Sequence, residues 1–239
     1  AMEEAQVTAG GERYPLPPPF LVMGTQNPIE QEGTYPLPLA ALDRFLFMVK
    51  VGYPEAEQER RIVVETLPRE EGRLEPVLSK AQFLACQEQA RAVTVPADLL
   101  AAATRLVRMS RPQEPDPPAA TRDYLRWGAS PRGIQAMVMA GRARAALHGR
   151  AALLQEDLVA VALPALRHRL VLNFHAEAEG ISPDQVITEL LADAGLIQRR
   201  KAEGVTGARP MEAGGWAAPA FLTDRSRAAA DASTEVARS

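Results

Sequence analysis

Residues 24–47 read GTQNPIEQEGTYPLPLAALDRFLF, and the fold turns on what lies at either end of this stretch. At its start, Phe20-Leu21-Val22-Met23-Gly24 is an unbroken apolar run that stops at the polar tip Thr25-Gln26-Asn27-Pro28. A short apolar run bounded by turn residues is the pattern of a buried parallel strand at its C-terminal end. A loop rich in Gly and Pro leads to the helical stretch Leu39-Ala40-Ala41-Leu42-Asp43-Arg44. A second apolar run follows, Phe45-Leu46-Phe47-Met48-Val49-Lys50-Val51. About a dozen residues suffice for a parallel crossover, and about 20 separate the two runs, so a strand–helix–strand unit is expected.

Upstream, residues 6–20 read as a hairpin turning at Gly10-Gly11, followed by a Pro-rich segment. Downstream of Pro54 the period changes to that of helices. They are expected over Glu55–Leu67, Ser79–Ala92, Pro96–Ser110, Pro131 to about His148, Leu154–Leu166 and Pro183–Ala194. Ser130-Pro131 and Ser182-Pro183 each pair a capping hydroxyl with a proline in the first turn. For the helix opened by Ser130, the apolar face is expected to run through Ile134, Met137, Val138 and Leu147. Residues 1–53 therefore read as α/β, 54–198 as a helical domain, and 199–239 as a disordered Gly/Ala/Ser-rich tail.

Composition narrows the classes. Hydrophobic residues are 46% and charged residues 24% of 239, the balance of a soluble globular protein. The formal charge is −3; the tail carries 7 basic and 5 acidic residues, which leaves −5 for residues 1–198. That balance argues against a dedicated nucleic-acid binder. A lone cysteine, Cys86, cannot make an internal disulfide, and no apolar run approaches the roughly 20 residues of a membrane helix. A cytoplasmic protein without membrane insertion is the expectation.

Three residues stand where anion chemistry is possible. Asn27 sits at a strand tip, where ligands of open parallel sheets bind, and its amide can donate to a phosphate oxygen or orient a water. It can equally cap the turn before Pro28. Arg44 follows a short helix, and its guanidinium can grip a phosphate or simply pair with Asp43. Arg132 lies in the first turn of a helix, where backbone amides already attract anions, or is a solvated surface residue.

The residues taken together resemble a family. GTQNPIEQEGTYPLPLAALDRFLF is similar to the signature of the MoxR family of AAA+ ATPases. WGASPRGIQAMVMAGRARAALHGR (127–150) and LPALRHRL (163–170) resemble the same family's lid. The resemblance covers about residues 1–198. It implies the C-terminal part of an AAA+ P-loop α/β core followed by a helical lid. By position, Asn27 matches the sensor 1 polar residue, Arg44 the arginine finger offered to a neighbouring subunit, and Arg132 the sensor 2 arginine. ATP and Mg2+ would be the cofactors and a homo-oligomeric ring, with a hexamer as the expectation, the assembly. Remodelling of client proteins, von Willebrand A domain proteins among them, would be the output.

The sequence also departs from the family. Walker A requires G-x-x-x-x-G-K-[ST], and none of the three lysines (Lys50, Lys80, Lys201) follows a glycine. No apolar strand ends in the Walker B Asp-Glu pair; Ile62-Val63-Val64-Glu65 lies in a helical pattern. Residues like AMEEAQVT come just after Walker B in the family, so the chain is expected to be a C-terminal portion, inactive alone. The contrasting expectation is a non-catalytic helical module that binds a protein partner or DNA. His148, His168 and His175 lack metal-ligand spacing. His168 is expected to be structural or interfacial, Cys86 a buried helix position, and Trp127 a core residue.

Overall fold

Gly10 and Gly11 turn the chain back on itself with φ of +60° and +86°, the left-handed pair that a two-residue hairpin requires. They join strand β1 (Gln6–Ala9) to strand β2 (Glu12–Pro15) in antiparallel register, Val7 opposite Tyr14. The computed structural model describes residues 4–26, 37–66 and 75–198. Asn27 and the whole of 199–239, expected as a tail, lie outside them.

The expected strand–helix–strand unit is only partly realised. One turn of helix, α1 (Leu39–Leu42), stands where the helical stretch was read. Neither apolar run is a strand among the described residues, and Leu21 and Met23 are 78% and 82% exposed. The reason is physical: a strand buried on both faces needs paired neighbours for its amides and helices over its faces. The described residues supply neither at 20–26. Residues 43–50 have another partner, the helical domain.

That domain follows the periodicity closely. Helix α2 (Ala56–Thr66) precedes α3 (Lys80–Ala92), whose N-cap Ser79 and Gln82 form a reciprocal capping box. Helix α4 is Ala97–Met109, with Pro96 at its cap rather than inside its first turn. A short α5 (Ala119–Tyr124) runs into strand β3 (Leu125–Trp127), which pairs antiparallel with strand β4 (Val171–Leu172). Between them come α6 (Pro131–Leu147), capped by Ser130, and α7 (Gln155–Leu166). Helices α8 (Phe174–Ala178) and α9 (Pro183–Asp193), capped by Asn173 and Ser182, complete the set. Short α5 and α8 and the β3–β4 ribbon carry too few residues for a period to show in sequence.

Helix α6 is central, packed against α3, α4 and α7, while α9 closes over α4 and α7. Leu106, Val107, Met137, Leu153, Leu158, Ile187 and Leu190 form the fully buried core. The face that α6 buries is Gly133, Ala136, Met137, Ala140, Gly141 and Ala145. This corrects the expected face: Leu147 is 52% exposed, and Ile134 and Val138 are half-buried. Small residues face inward because three helices must approach one axis closely, and bulky side chains would hold them apart. Cys86 is exposed and so is Trp127, against expectation. Their helix and strand lie at the periphery of the core.

Gly128, between β3 and α6, has no room for a side chain. A Cβ there would stand 2.1 Å from the carbonyl oxygen of Ser110, which is backbone and cannot swing away. Ser110 itself holds the junction: its hydroxyl donates to Val107 O at 2.7 Å and accepts the Ala129 amide at 3.0 Å. Gly128→Ala is expected to lower the unfolding free energy by about 3 kcal/mol, the upper range of overpacking costs, as read from urea denaturation. Unchanged stability would show that this close approach is not a constraint.

Candidate functional site

Asp43, the C-cap of α1, is the meeting point of the sequence-predicted residues that the structure describes. Its Oδ2 accepts the Ser130 hydroxyl at 2.7 Å, and Arg132 Nε stands 3.6 Å from the same oxygen. Ser130 Oγ in turn accepts the Arg132 amide at 3.1 Å. Capping serine, first-turn arginine and the aspartate before Arg44 thus form one cluster. Arg44 is exposed beside it. Asn27 lies outside the described residues, so only two of the three predicted positions are brought together.

Sequence reasoning passed over the residue that holds this cluster. Arg169, in the turn after α7, is buried, its side chain 3% exposed. It donates Nε to Asp43 Oδ1 at 3.0 Å and Nη2 to the carbonyls of Asp43 at 2.8 Å and Phe45 at 2.7 Å. Nη1 reaches Leu46 O at 3.3 Å and Ala165 O within α7. Burial pushes the guanidinium pKa down from its ordinary value, while the charge and hydrogen bond of Asp43 push the other way. The signal available was LPALRHRL itself: cations at a helix C-terminus meet carbonyls that have no intrahelical donor.

The rest of 43–50 is tied down in the same manner. Pro164 is in the last turn of α7, so its carbonyl has no partner within the helix, and it accepts the Met48 amide at 2.9 Å. Arg167 donates to Met48 O at 3.3 Å, with its Nε 3.0 Å from Asp184 Oδ1 without hydrogen-bond alignment. Asp184, in the first turn of α9, also takes Lys50 at 2.9 Å. His168 is buried as a structural residue, its Nε2 3.0 Å from Phe45 O and 2.8 Å from Arg169 Nη1. One ring nitrogen satisfies only one of these, according to its tautomer. The segment that carries Arg44 is therefore seated on the helical domain.

Comparison with known proteins decides the family. The family described as "ATPase family associated with various cellular activities (AAA)" matches residues 1–47, and "AAA lid domain" matches residues 118–190. Chaperone MoxR1 of Mycobacterium tuberculosis is 40% identical over 200 residues, 82% of this chain and 52% of that protein. The Bacillus subtilis protein YeaC is 36% identical over 203 residues, 84% of this chain and 61% of YeaC. The chain belongs to the MoxR family of AAA+ ATPases. Its backbone is similar to the crystal structure of a Cytophaga hutchinsonii protein assigned as an ATPase. There the TM-score is 0.71 at 38% identity, over 80% of this chain and 58% of that one.

The fold class follows: part of an AAA+ core, then an AAA lid, with mixed helical and small-sheet content. The chain spans about half the length of the MoxR relative. MoxR membership implies ATP and Mg2+. Arg132, in the first turn of α6, carries a charge and stands at a helix end that suit an anion. Among the described residues no group of three or more His, Cys, Asp or Glu could hold a metal ion. Nor is any described helix long and apolar enough to cross a membrane.

His168 yields a pH prediction. Burial, and then the positive charge of Arg169, hold its imidazole below the usual range, with Phe45 O and Asp43 opposing and Arg167 adding to the effect. The unfolded chain therefore takes up the proton first on acidification, near the ordinary value of about 6.5. Stability is expected to be intact above that pH and to fall as pH drops from it toward the lower folded value. Thermal denaturation between about pH 7.5 and 5 should show a shallower decline for His168→Gln than for the parent chain; equal declines would contradict this.

Proposed function

We propose that this chain supplies the sensor, arginine-finger and lid parts of a MoxR-type ATPase that works as a ring, a hexamer, to remodel client proteins in the cytoplasm. Residues 1–53 are the core portion, 54–198 the lid, and 199–239 a tail outside both. On this reading Asn27 orients the attacking water or the γ-phosphate. Arg44 reaches a neighbouring subunit's nucleotide and neutralises charge developing on the transferring phosphoryl group. Arg132 contacts phosphates from the lid of its own subunit. Positioned charge of this kind provides most of the acceleration in phosphoryl transfer. Clients with von Willebrand A domains fit the family expectation.

The observation that carries the reading is the Asp43 cluster. Arg132 stands 3.6 Å from the residue that immediately precedes Arg44, so lid arginine and finger loop sit in one polar network. The relative named Chaperone MoxR1 supports the remodelling role.

Because no Walker A lysine is present in the 239 residues, the purified chain is expected to hydrolyse no ATP; measurable turnover would refute this. A second assay tests the finger. The chain is mixed with a MoxR-family subunit that carries both Walker motifs but has lost its own finger arginine. Wild-type chain is expected to raise turnover, and Arg44→Ala to forfeit that gain, on the scale of about 10³-fold that arginine fingers contribute. Equal stimulation by both would remove Arg44 from the role.

A further inference from the structure

We propose that Arg169 is a positioning residue: it latches the loop that carries Arg44 onto the lid, so that lid and finger move as one body. This rests on the reading of Arg44 as a finger, but the latch itself is argued from geometry alone.

The carbonyls of Asp43 and Phe45 lie on the two sides of Arg44 along the chain, and Arg169 Nη2 holds both, at 2.8 and 2.7 Å. With Nε on the Asp43 carboxylate at 3.0 Å and Nη1 on Leu46 O, one guanidinium grips four acceptors across residues 43–46. Its remaining contacts run to Ala165 O, inside α7, and to the neighbouring His168 Nε2. Loop and helix are therefore joined through a single planar fork. The backbone on both sides of Arg44 is fixed relative to α7, which sets the direction from which the Arg44 side chain departs.

Other ties run from separate lid elements to the same segment. Ser130 at the start of α6 holds Asp43, Pro164 in α7 holds the Met48 amide, and Asp184 in α9 holds Lys50. Arg169 differs from these in being buried and in having its partners concentrated around one residue. A hydrophobic side chain would fill that space without the cost of desolvating a charge. What only arginine can do is donate in several fixed directions at once; lysine is a point charge on a flexible stem.

The test uses the whole 239-residue chain and amide hydrogen exchange. Arg169→Lys keeps the charge beside Asp43 but loses the fork. It is expected to raise exchange over residues 43–50 by about tenfold, equivalent to about 1.4 kcal/mol of local opening, while Leu106 and Val107 in α4 stay within about twofold. Asp43→Asn, which keeps the shape and removes the charge, should raise exchange over the same segment. Loop exchange unchanged in both variants would overturn the latch. A rise spread equally through α4 and the loop would also overturn it, since Arg169 would then be an ordinary core residue.

The mixed ATPase assay reads the coupling. Arg169→Lys is expected to lower kcat with KM for ATP unchanged, and Arg44→Ala/Arg169→Lys to fall no lower than Arg44→Ala alone. An additive loss would show that Arg169 acts elsewhere. If Arg44→Ala leaves turnover untouched, the finger reading fails by itself, and the exchange result still decides the latch.

Discussion

A buried guanidinium is tolerable only where its donors are met, and Arg169 meets this condition with the backbone of residues 43–46. The dependence runs both ways. The segment from Asp43 to Lys50 has no strand neighbour among the described residues, so its polar groups need partners from elsewhere. They find them at the C-terminus of α7, where a helix leaves carbonyls and cations at one end. The lid's need to bury Arg169 and the loop's need for donors are satisfied by the same contacts. Remove the aspartate, and the lid is left with a positive charge that nothing else on the loop can balance.

The platform under this junction must be stiff, and the sequence chemistry of α6 and α7 explains why it is. Glycine and alanine along the inner face of α6 let its neighbours approach closely, so Leu153 and Leu166 side chains pack directly on Gly141 and Gly133. At the other end of α7, Asp157 is fully buried and accepts the Leu154 amide, Arg144 at 2.5 Å and both Nη atoms of Arg150. Desolvation pushes its carboxyl up, yet Arg150, the Leu154 amide and Arg144 together outweigh burial and hold it below its ordinary value. Helix α7 is thus pinned by charge at both ends, through Asp157 at the first turn and Arg169 beyond the last. A lever held at both ends transmits motion rather than absorbing it.

The helices were legible because capping serines, prolines at first turns and a 3.6-residue period are local, and local rules decide them. Ser130 and Ser182 cap as their sequences predict, and Ser79, read as the first helical residue, caps α3 as well. The face of α6 was misread because alanine and glycine carry little hydrophobic signal, although close helix approach selects them. The apolar runs at 20–24 and 45–51 look like strands because their composition suits a buried sheet; whether a strand forms depends on partners far along the chain. The site was legible in part. Arg132 could be singled out from its place in a helix, but Arg169 lies 126 residues from Asp43, and no spacing rule reaches that far.

Arg132 and Arg169 share one carboxylate but are bound to it unequally. Arg169 makes an aligned 3.0 Å hydrogen bond to Oδ1 and is anchored by carbonyls as well. Arg132 stands 3.6 Å from Oδ2, which already accepts Ser130 at 2.7 Å, and its side chain is 36% exposed. Partly exposed pairs at that distance contribute on the order of 1 kcal/mol or less. The Arg132–Asp43 contact is therefore the weaker of the two, and Asp43 has Ser130 and Arg169 as its closer partners. On the proposed reading, that inequality is what a lid arginine requires: it can follow a phosphate without releasing the loop that carries Arg44. A tighter Arg132–Asp43 pair would hold the sensor against its own subunit, and a looser Arg169 would let the finger drift whenever the lid moved.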